Sequence, residues 1–244
     1  MKNLARLLPF LALLASPLPA APKVFLAGDS TMSDKPVDLP ERGWGMALGA
    51  LLDPAVKVDN RAMNGRSTKS FLDEGRWAKL TADLTPGDFV IIQFAHNDEK
   101  KEDPKRYTDP AGSFRDNLRR FIAETRAKGA TPILATPVCR RKFDATGKLV
   151  PTHGAYPDAL RAVAREEKAP LLELEQATAR WLQAEGDVPS RRFFMWIAPG
   201  THPKIPDGRK DDTHFVAAGA EAVAALAATE IRTQAPTLAR WLRK

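Results

Sequence analysis

Five short strand-like runs mark the chain at near-regular intervals: Val24–Ala27, Val56–Asp59, Phe89–Phe94, Thr131–Ala135 and Leu171–Leu174. The first four residues of the third run are all aromatic or β-branched, the composition most suited to a buried strand. Between the runs the apolar positions change period. Phe114, Leu118, Phe121 and Ile122 recur at helical spacing and are stopped by Gly129. Trp44–Leu52, Tyr156–Glu167, Ala177–Ala184 and Val216–Ile231 are further helical segments, the first ended by Asp53-Pro54 and the second carrying Pro157 near its start. Strands alternating with helices predict βαβ units and a mostly parallel sheet. Continuously apolar strands fit a sheet covered on both faces. Asp144–Gly154 and Pro199–Lys210 are rich in Pro, Gly and polar residues and predict loops. The second lies just before Asp211, where it can shape a cleft.

The first 21 residues follow a different logic. Lys2 and Arg6 precede an apolar run from Leu7 to Ala15, broken by Pro9, and Ser16-Pro17-Leu18-Pro19-Ala20-Ala21 follows. This pattern predicts a secretory signal peptide over residues 1–21, cut near Ala20 or Ala21, ahead of a single domain over 22–244 and an exported (periplasmic or extracellular) product. The run is too short to span a bilayer, and the Ala-rich stretch Val216–Ile231 carries Glu221 and Glu230, so no stable membrane insertion is expected. With 244 residues, 43% hydrophobic and 27% charged, the chain has enough apolar material for one sizeable core. A single cysteine, Cys139, excludes an internal disulfide. The formal charge is +7, and discounting Lys2 and Arg6 leaves +5. The basic residues are spread rather than clustered into a stripe, which argues against a nucleic-acid partner; the charge reads either as a solvated basic surface or as attraction to an acidic polysaccharide.

In a parallel sheet of this kind reactive groups gather at the carboxyl ends of strands. Four polar segments follow strands or open helices: Gly28-Asp29-Ser30-Thr31, Asn64-Gly65-Arg66-Ser67, Ala95-His96-Asn97-Asp98 and Asp211-Asp212-Thr213-His214. Ser30 alone reads as a turn or cap residue, because a serine hydroxyl is inert without a base to take its proton. The chain has four histidines, and His214 follows Asp211 by three residues. A loop or helical turn places those two side chains together, so that Asp211 orients the imidazole. Acyl transfer also needs donors for a developing oxyanion. Gly65 offers a freely approached backbone N–H, Asn97 a side-chain NH₂ and Ser30 its own N–H.

The four segments in this order resemble the SGNH (GDSL-like) hydrolase superfamily. GDST in the first block and Asp211-x-Thr213-His214-Phe215 in the last resemble its rhamnogalacturonan acetylesterase branch, as do Phe94–Lys101, Arg106–Pro110 and Thr136–Arg141. The resemblance runs from about Val24 to the helix after His214. It implies a three-layer α/β/α sandwich with a five-stranded parallel sheet, flavodoxin-like, and no metal or organic cofactor. It implies Ser30 as nucleophile, His214 as base, Asp211 as its orienting acid, and an oxyanion hole of the Ser30 and Gly65 amides with the Asn97 side chain. The substrate implied is an acetylated polysaccharide. Two positions depart from the pattern: Ala95 stands where glycine is usual, and Glu173 where the last strand often ends in Asp. If Ala95 requires positive φ, it carries backbone strain of about 1 kcal/mol or more.

Three alternatives accompany this reading. The same machinery serves lipases, lysophospholipases and thioesterases, since fold does not fix substrate. A non-catalytic carbohydrate-binding relative would have Ala95 as its lesion. A metal hydrolase would draw His96, Asp98, Asp211 and His214 together, although no tight ligand motif such as HExxH is present. His153 with Tyr156, and Arg140 with Arg141, are candidates for contact with sugar or uronate. Trp44 and Trp196 are candidate sugar platforms or core residues. The sequence leaves the oligomeric state open.

Overall fold

The computed structural model describes residues 21–243; the leader expected over residues 1–21 lies, but for Ala21, outside the described residues. The strands are β1 (Lys23–Gly28), β2 (Glu41–Arg42), β3 (Lys57–Asn60), β4 (Phe89–Gln93), β5 (Thr131–Ala135), β6 (Leu171–Leu172), β7 (Phe194–Ile197) and β8 (Arg209–Val216). The helices are α1 (Gly45–Leu48), α2 (Thr68–Asp73), α3 (Arg76–Ala82), α4 (Ser113–Ala127), α5 (Tyr156–Glu166), α6 (Leu174–Glu185), α7 (Asp187–Ser190), α8 (Ala217–Gln234) and α9 (Pro236–Ala239).

Five strands pair in the order β3-β1-β4-β5-β6, every neighbour parallel. The two-residue period of a strand divides their side chains between two cores. Val24, Leu26 and Ile91 join Trp44, Leu48, Val223, Ala227 and Ile231 on the face covered by α1, α6 and α8. Phe25, Ala27, Val90 and Ile92 join Phe71, Trp77, Phe114, Leu118 and Phe121 on the face covered by α2 to α5. The result is a three-layer α/β/α sandwich with a five-stranded parallel sheet. Burial on both faces explains why β1 and β4 read as unbroken apolar runs. Among the described residues no helix is long and apolar enough to cross a membrane.

The strands and main helices fall close to their expected places, with instructive differences. The last strand stops at Leu172, and Leu174, expected within it, opens α6. Trp44–Leu52 becomes the short α1 followed by a 3₁₀ turn to Leu51. The sequence reading missed α2 and α3, which fill the interval between β3 and β4. It also missed a second, antiparallel sheet, β2-β8-β7. Buried Phe194 and Phe215 lie opposite each other in this sheet with ring centroids 5.0 Å apart. The next pair on β7 is Met195 with Asp211, so one step on β7 spans four on β8. Asp212, Thr213 and His214 therefore bulge out of the ladder. The segment Asp211–His214, expected as a loop, is a bulge inside a strand, and Arg209 and Lys210, expected in a loop, begin that strand.

Candidate active site

β1 ends at Gly28 and the chain turns at once. The buried Asp29 fixes that turn: its Oδ1 accepts from the Thr31 N–H at 2.9 Å and from Thr31 Oγ1 at 2.8 Å, and its carbonyl accepts from Met32 and Ser33. Ser30 is held between Asp29 and Thr31 by groups other than its own side chain. Its hydroxyl faces the β8 bulge, where Ser30 Oγ lies 2.8 Å from His214 Nε2, and His214 Nδ1 lies 2.8 Å from Asp211 Oδ2. The other carboxylate oxygen of Asp211 accepts from the backbone N–H groups of Thr213 and His214 at 2.8 and 3.0 Å, and these bonds shape the bulge. Burial pushes the Asp211 carboxyl up, but the hydrogen bond and charge of His214 and the two backbone donors outweigh it and hold it far below the usual carboxylate range. Asp211 is thus an acceptor only. The proton of a neutral His214 sits on Nδ1, and Nε2 is left to accept from the Ser30 hydroxyl.

Adjacent strand order brings three loops side by side. The Met63 N–H donates to Gly28 O at 3.0 Å, and Ser33 Oγ donates to Asn64 Oδ1 at 2.6 Å, which joins the loop after β3 to the turn after β1. Asp98 Oδ1 accepts from Thr68 N, Thr68 Oγ1 and Thr108 Oγ1, which joins the loop after β3 to the loop after β4. Gly65 has φ of +75°, a conformation that favours glycine. Asn97, 4% exposed, donates through Nδ2 to Arg66 O at 3.1 Å and accepts at Oδ1 from Arg106 Nη1 at 3.3 Å, so its amide plane is fixed. Among the described residues the N–H groups of Ser30 and Gly65 donate to no other protein group.

Residues 26–222 match the model of the GDSL-like lipase/acylhydrolase family. The chain belongs to this family. It is 44% identical to the rhamnogalacturonan acetylesterase RhgT of Bacillus subtilis (strain 168) over 86% of this chain and 89% of that protein. It is 34% identical to the probable rhamnogalacturonan acetylesterase YesY of the same organism, over 86% of this chain and 92% of that protein. The crystal structure of protein YXIM from Bacillus subtilis superposes with a TM-score of 0.75 at 28% identity, covering 88% of this chain and 57% of that one.

In this acylhydrolase the remaining candidates sort by what they touch. Ala95 has φ of +149°, so its departure from glycine falls where a side chain strains the backbone by about 1–3 kcal/mol. The strain is absorbed locally, since Asn97 keeps both of its anchoring bonds. Ala95→Gly removes the strain and adds back about 0.5–1 kcal/mol of unfolded-chain freedom. We expect a net gain of about 0.5–2 kcal/mol in unfolding free energy, measured by urea denaturation. A net loss would show that packing of the buried Ala95 methyl outweighs its backbone strain.

His96 is fully enclosed against the His153 ring, centroids 4.4 Å apart, and burial holds it neutral, well below the usual histidine range. Asp98 is equally enclosed, and burial pushes its carboxyl up to about 7 despite its threonine donors. Asp98 ties down the loop that carries Asn97 through those donors, whereas both ring nitrogens of His96 are without a hydrogen-bond partner among the described residues. Among the described residues no three His, Cys, Asp or Glu side chains converge as a metal site. His153 lies within hydrogen-bond reach of Glu99 and of Val138 O, and Arg140 donates to Glu99. His153, Tyr156, Glu99, Lys101 and Tyr107 line a cavity of about 550 Å³. Trp44 is a core residue, its indole N–H donating to Gln93 Oε1 at 2.8 Å. Glu173 takes the Arg161 guanidinium.

Trp196 and Arg141 have a role that sequence reasoning did not assign. Both donate to Asp212 Oδ1 at 2.7 Å, and the Arg141 N–H donates to Asp212 O at 2.8 Å. They brace the bulge that presents His214. The signal available was the adjacency of Asp212 to Asp211, but its partners are at least sixteen residues away along the chain.

Proposed function

We propose that this acylhydrolase is a serine acetylesterase that removes acetyl groups from an acidic polysaccharide of the rhamnogalacturonan type, acting outside the cytoplasm after export. The observation that carries the reaction type is the unbroken hydrogen-bonded line Ser30–His214–Asp211. The names of the two relatives, RhgT and YesY, support the substrate. The net charge of +5 beyond Lys2 and Arg6 suits a polyanion, and the leader pattern of residues 1–21 supports export.

The reaction then runs on protein groups alone. Ser30 Oγ attacks the acetyl carbonyl carbon while its proton passes to His214 Nε2. Asp211, held as a carboxylate, stabilises the imidazolium that forms. The carbonyl oxygen, now an oxyanion, accepts from the N–H groups of Ser30 and Gly65 and from Asn97 Nδ2. Collapse of the tetrahedral species breaks the bond to the sugar oxygen, which takes the proton from His214. A water molecule then gives its proton to His214 and attacks the acetyl-serine. Collapse of the second tetrahedral species returns the proton to Ser30 and releases acetic acid.

The test is a panel of p-nitrophenyl esters of increasing chain length, followed by acetylated pectic polymers with acetate release measured. We expect acetate to be the best small substrate, with kcat/KM falling by tenfold or more at long acyl chains, since a short acyl pocket rejects added methylenes at about 1–3 kcal/mol each. Preference for long chains would move the protein to the lipase and thioesterase reading. Binding of the polymer without ester turnover would mark a non-catalytic relative.

A further inference from the structure

Arg209 stands two residues before Asp211 on β8. Its Nη2 donates to Asp211 Oδ2, the same oxygen that faces His214 Nδ1, and lies 3.4 Å from that nitrogen. Its Nη1 donates to Glu41 Oε2 on β2 at 3.1 Å. The other oxygen of Glu41 takes the ammonium of Lys35 at 2.7 Å, and Lys35 also donates to Asn64, the residue before Gly65. A line of alternating charges therefore runs from the pair Asp211–His214 to the loop that carries Gly65. We propose that Arg209 is a positioning residue that clamps the Asp211 carboxylate and opposes protonation of His214, so that the base stays neutral and active at lower pH than the carboxylate alone would allow. This inference rests on the triad reading above.

The argument is electrostatic. A carboxylate against an imidazole favours the charged imidazolium, which cannot act as a base. The guanidinium is permanently charged and acts in the opposite sense on the same two atoms. The ionisable groups that face His214 are Asp211 and Arg209 from β8, Glu41 from β2, Asp29 from the turn after β1 and His96 from the loop after β4. Burial depresses His96, which brings no charge, and raises Asp29 against the pull of its Thr31 donors. Glu41 is held as an anion: burial raises it, but Lys35, His214 and Arg209 outweigh that. Arg209 is therefore the permanent cation facing the base among the described residues. Its side chain is 36% exposed, so solvent screens the effect to a moderate size.

The experiment is the dependence of kcat/KM on pH for p-nitrophenyl acetate, with the wild type, Arg209→Gln, Arg209→Lys, Glu41→Gln and Ser30→Ala, each checked by thermal unfolding. Removing the cation lets His214 gain its proton earlier as pH falls. The acid limb of Arg209→Gln is therefore expected to move up by about 0.5–1 pH unit. Arg209→Lys keeps the wild-type limb. Glu41→Gln removes a facing anion and moves the limb down. An acid limb that stays in place in Arg209→Gln, even with reduced turnover, overturns the proposal. If Arg209→Gln does not fold, Arg209→Met takes its place: a raised limb supports the proposal and an unmoved one overturns it. Undiminished turnover by Ser30→Ala would bring down the triad itself, whereas an inert Ser30→Ala with an unmoved Arg209→Gln limb brings down this inference alone.

Discussion

Replacing Ser30 with alanine lowers kcat/KM for acetyl ester hydrolysis by about 10⁴- to 10⁶-fold. His214→Ala costs nearly as much, and the double replacement costs no more than the worse of the two. The reason is that the hydroxyl and the imidazole act as one unit, joined by the 2.8 Å contact between Oγ and Nε2. Once the nucleophile is gone, a base has nothing to activate. The fold survives the change, because the turn that holds position 30 is built from Asp29 and Thr31 and from the Met32 and Ser33 amides. Steady-state assays of the three variants, beside thermal unfolding, check this. Losses that multiply in the double variant, or a Ser30→Ala protein with normal turnover, would mean that the two side chains are neighbours without a shared task.

Asn97→Ala is expected to lower kcat about 10²- to 10³-fold, equivalent to about 2.7–4 kcal/mol of transition-state stabilisation, with KM changed little. One hydrogen of Nδ2 is committed to Arg66 O, and Arg106 grips the other end of the amide, so the second hydrogen is held in one direction. A donor fixed before the reaction costs no reorganisation when negative charge appears on the substrate oxygen. Charge appears only in the transition state, so the loss falls on kcat. An equal loss in KM would assign Asn97 to ground-state binding.

The parallel sheet was legible in the sequence for a physical reason. Strands such as Phe25–Ala27 and Val90–Ile92 are buried on both sides and admit only apolar residues, so their pattern needs no partner to be read. The second sheet was not. β8 runs Arg-Lys-Asp-Asp-Thr-His before its first buried residue, and β2 is two residues long and half-buried. Such strands exist because of what they pair with, and pairing partners are remote in sequence. Order along the chain and family resemblance marked Ser30, Asp211 and His214, and the structure brings their side chains together. The braces Trp196 and Arg141 on Asp212, and the clamp of Arg209 by Glu41, stayed invisible because each joins residues far apart along the chain. Ala95 lay between these cases: the departure from glycine could be seen, but its φ of +149° is legible only in the fold.

Ser30 and His214 are 184 residues apart in sequence yet share one hydrogen bond. The bulge bearing His214 is also pinned from the middle of the chain, through Arg141, and is followed directly by α8, which packs against α1 on the same sheet face. No contiguous fragment short of Ser30 to the end of α8 holds both reacting groups and the helix that seats them. The protein is therefore expected to stay silent during synthesis until α8 has emerged and docked, and a nick that releases β8 with α8 is expected to abolish ester hydrolysis instead of reducing it.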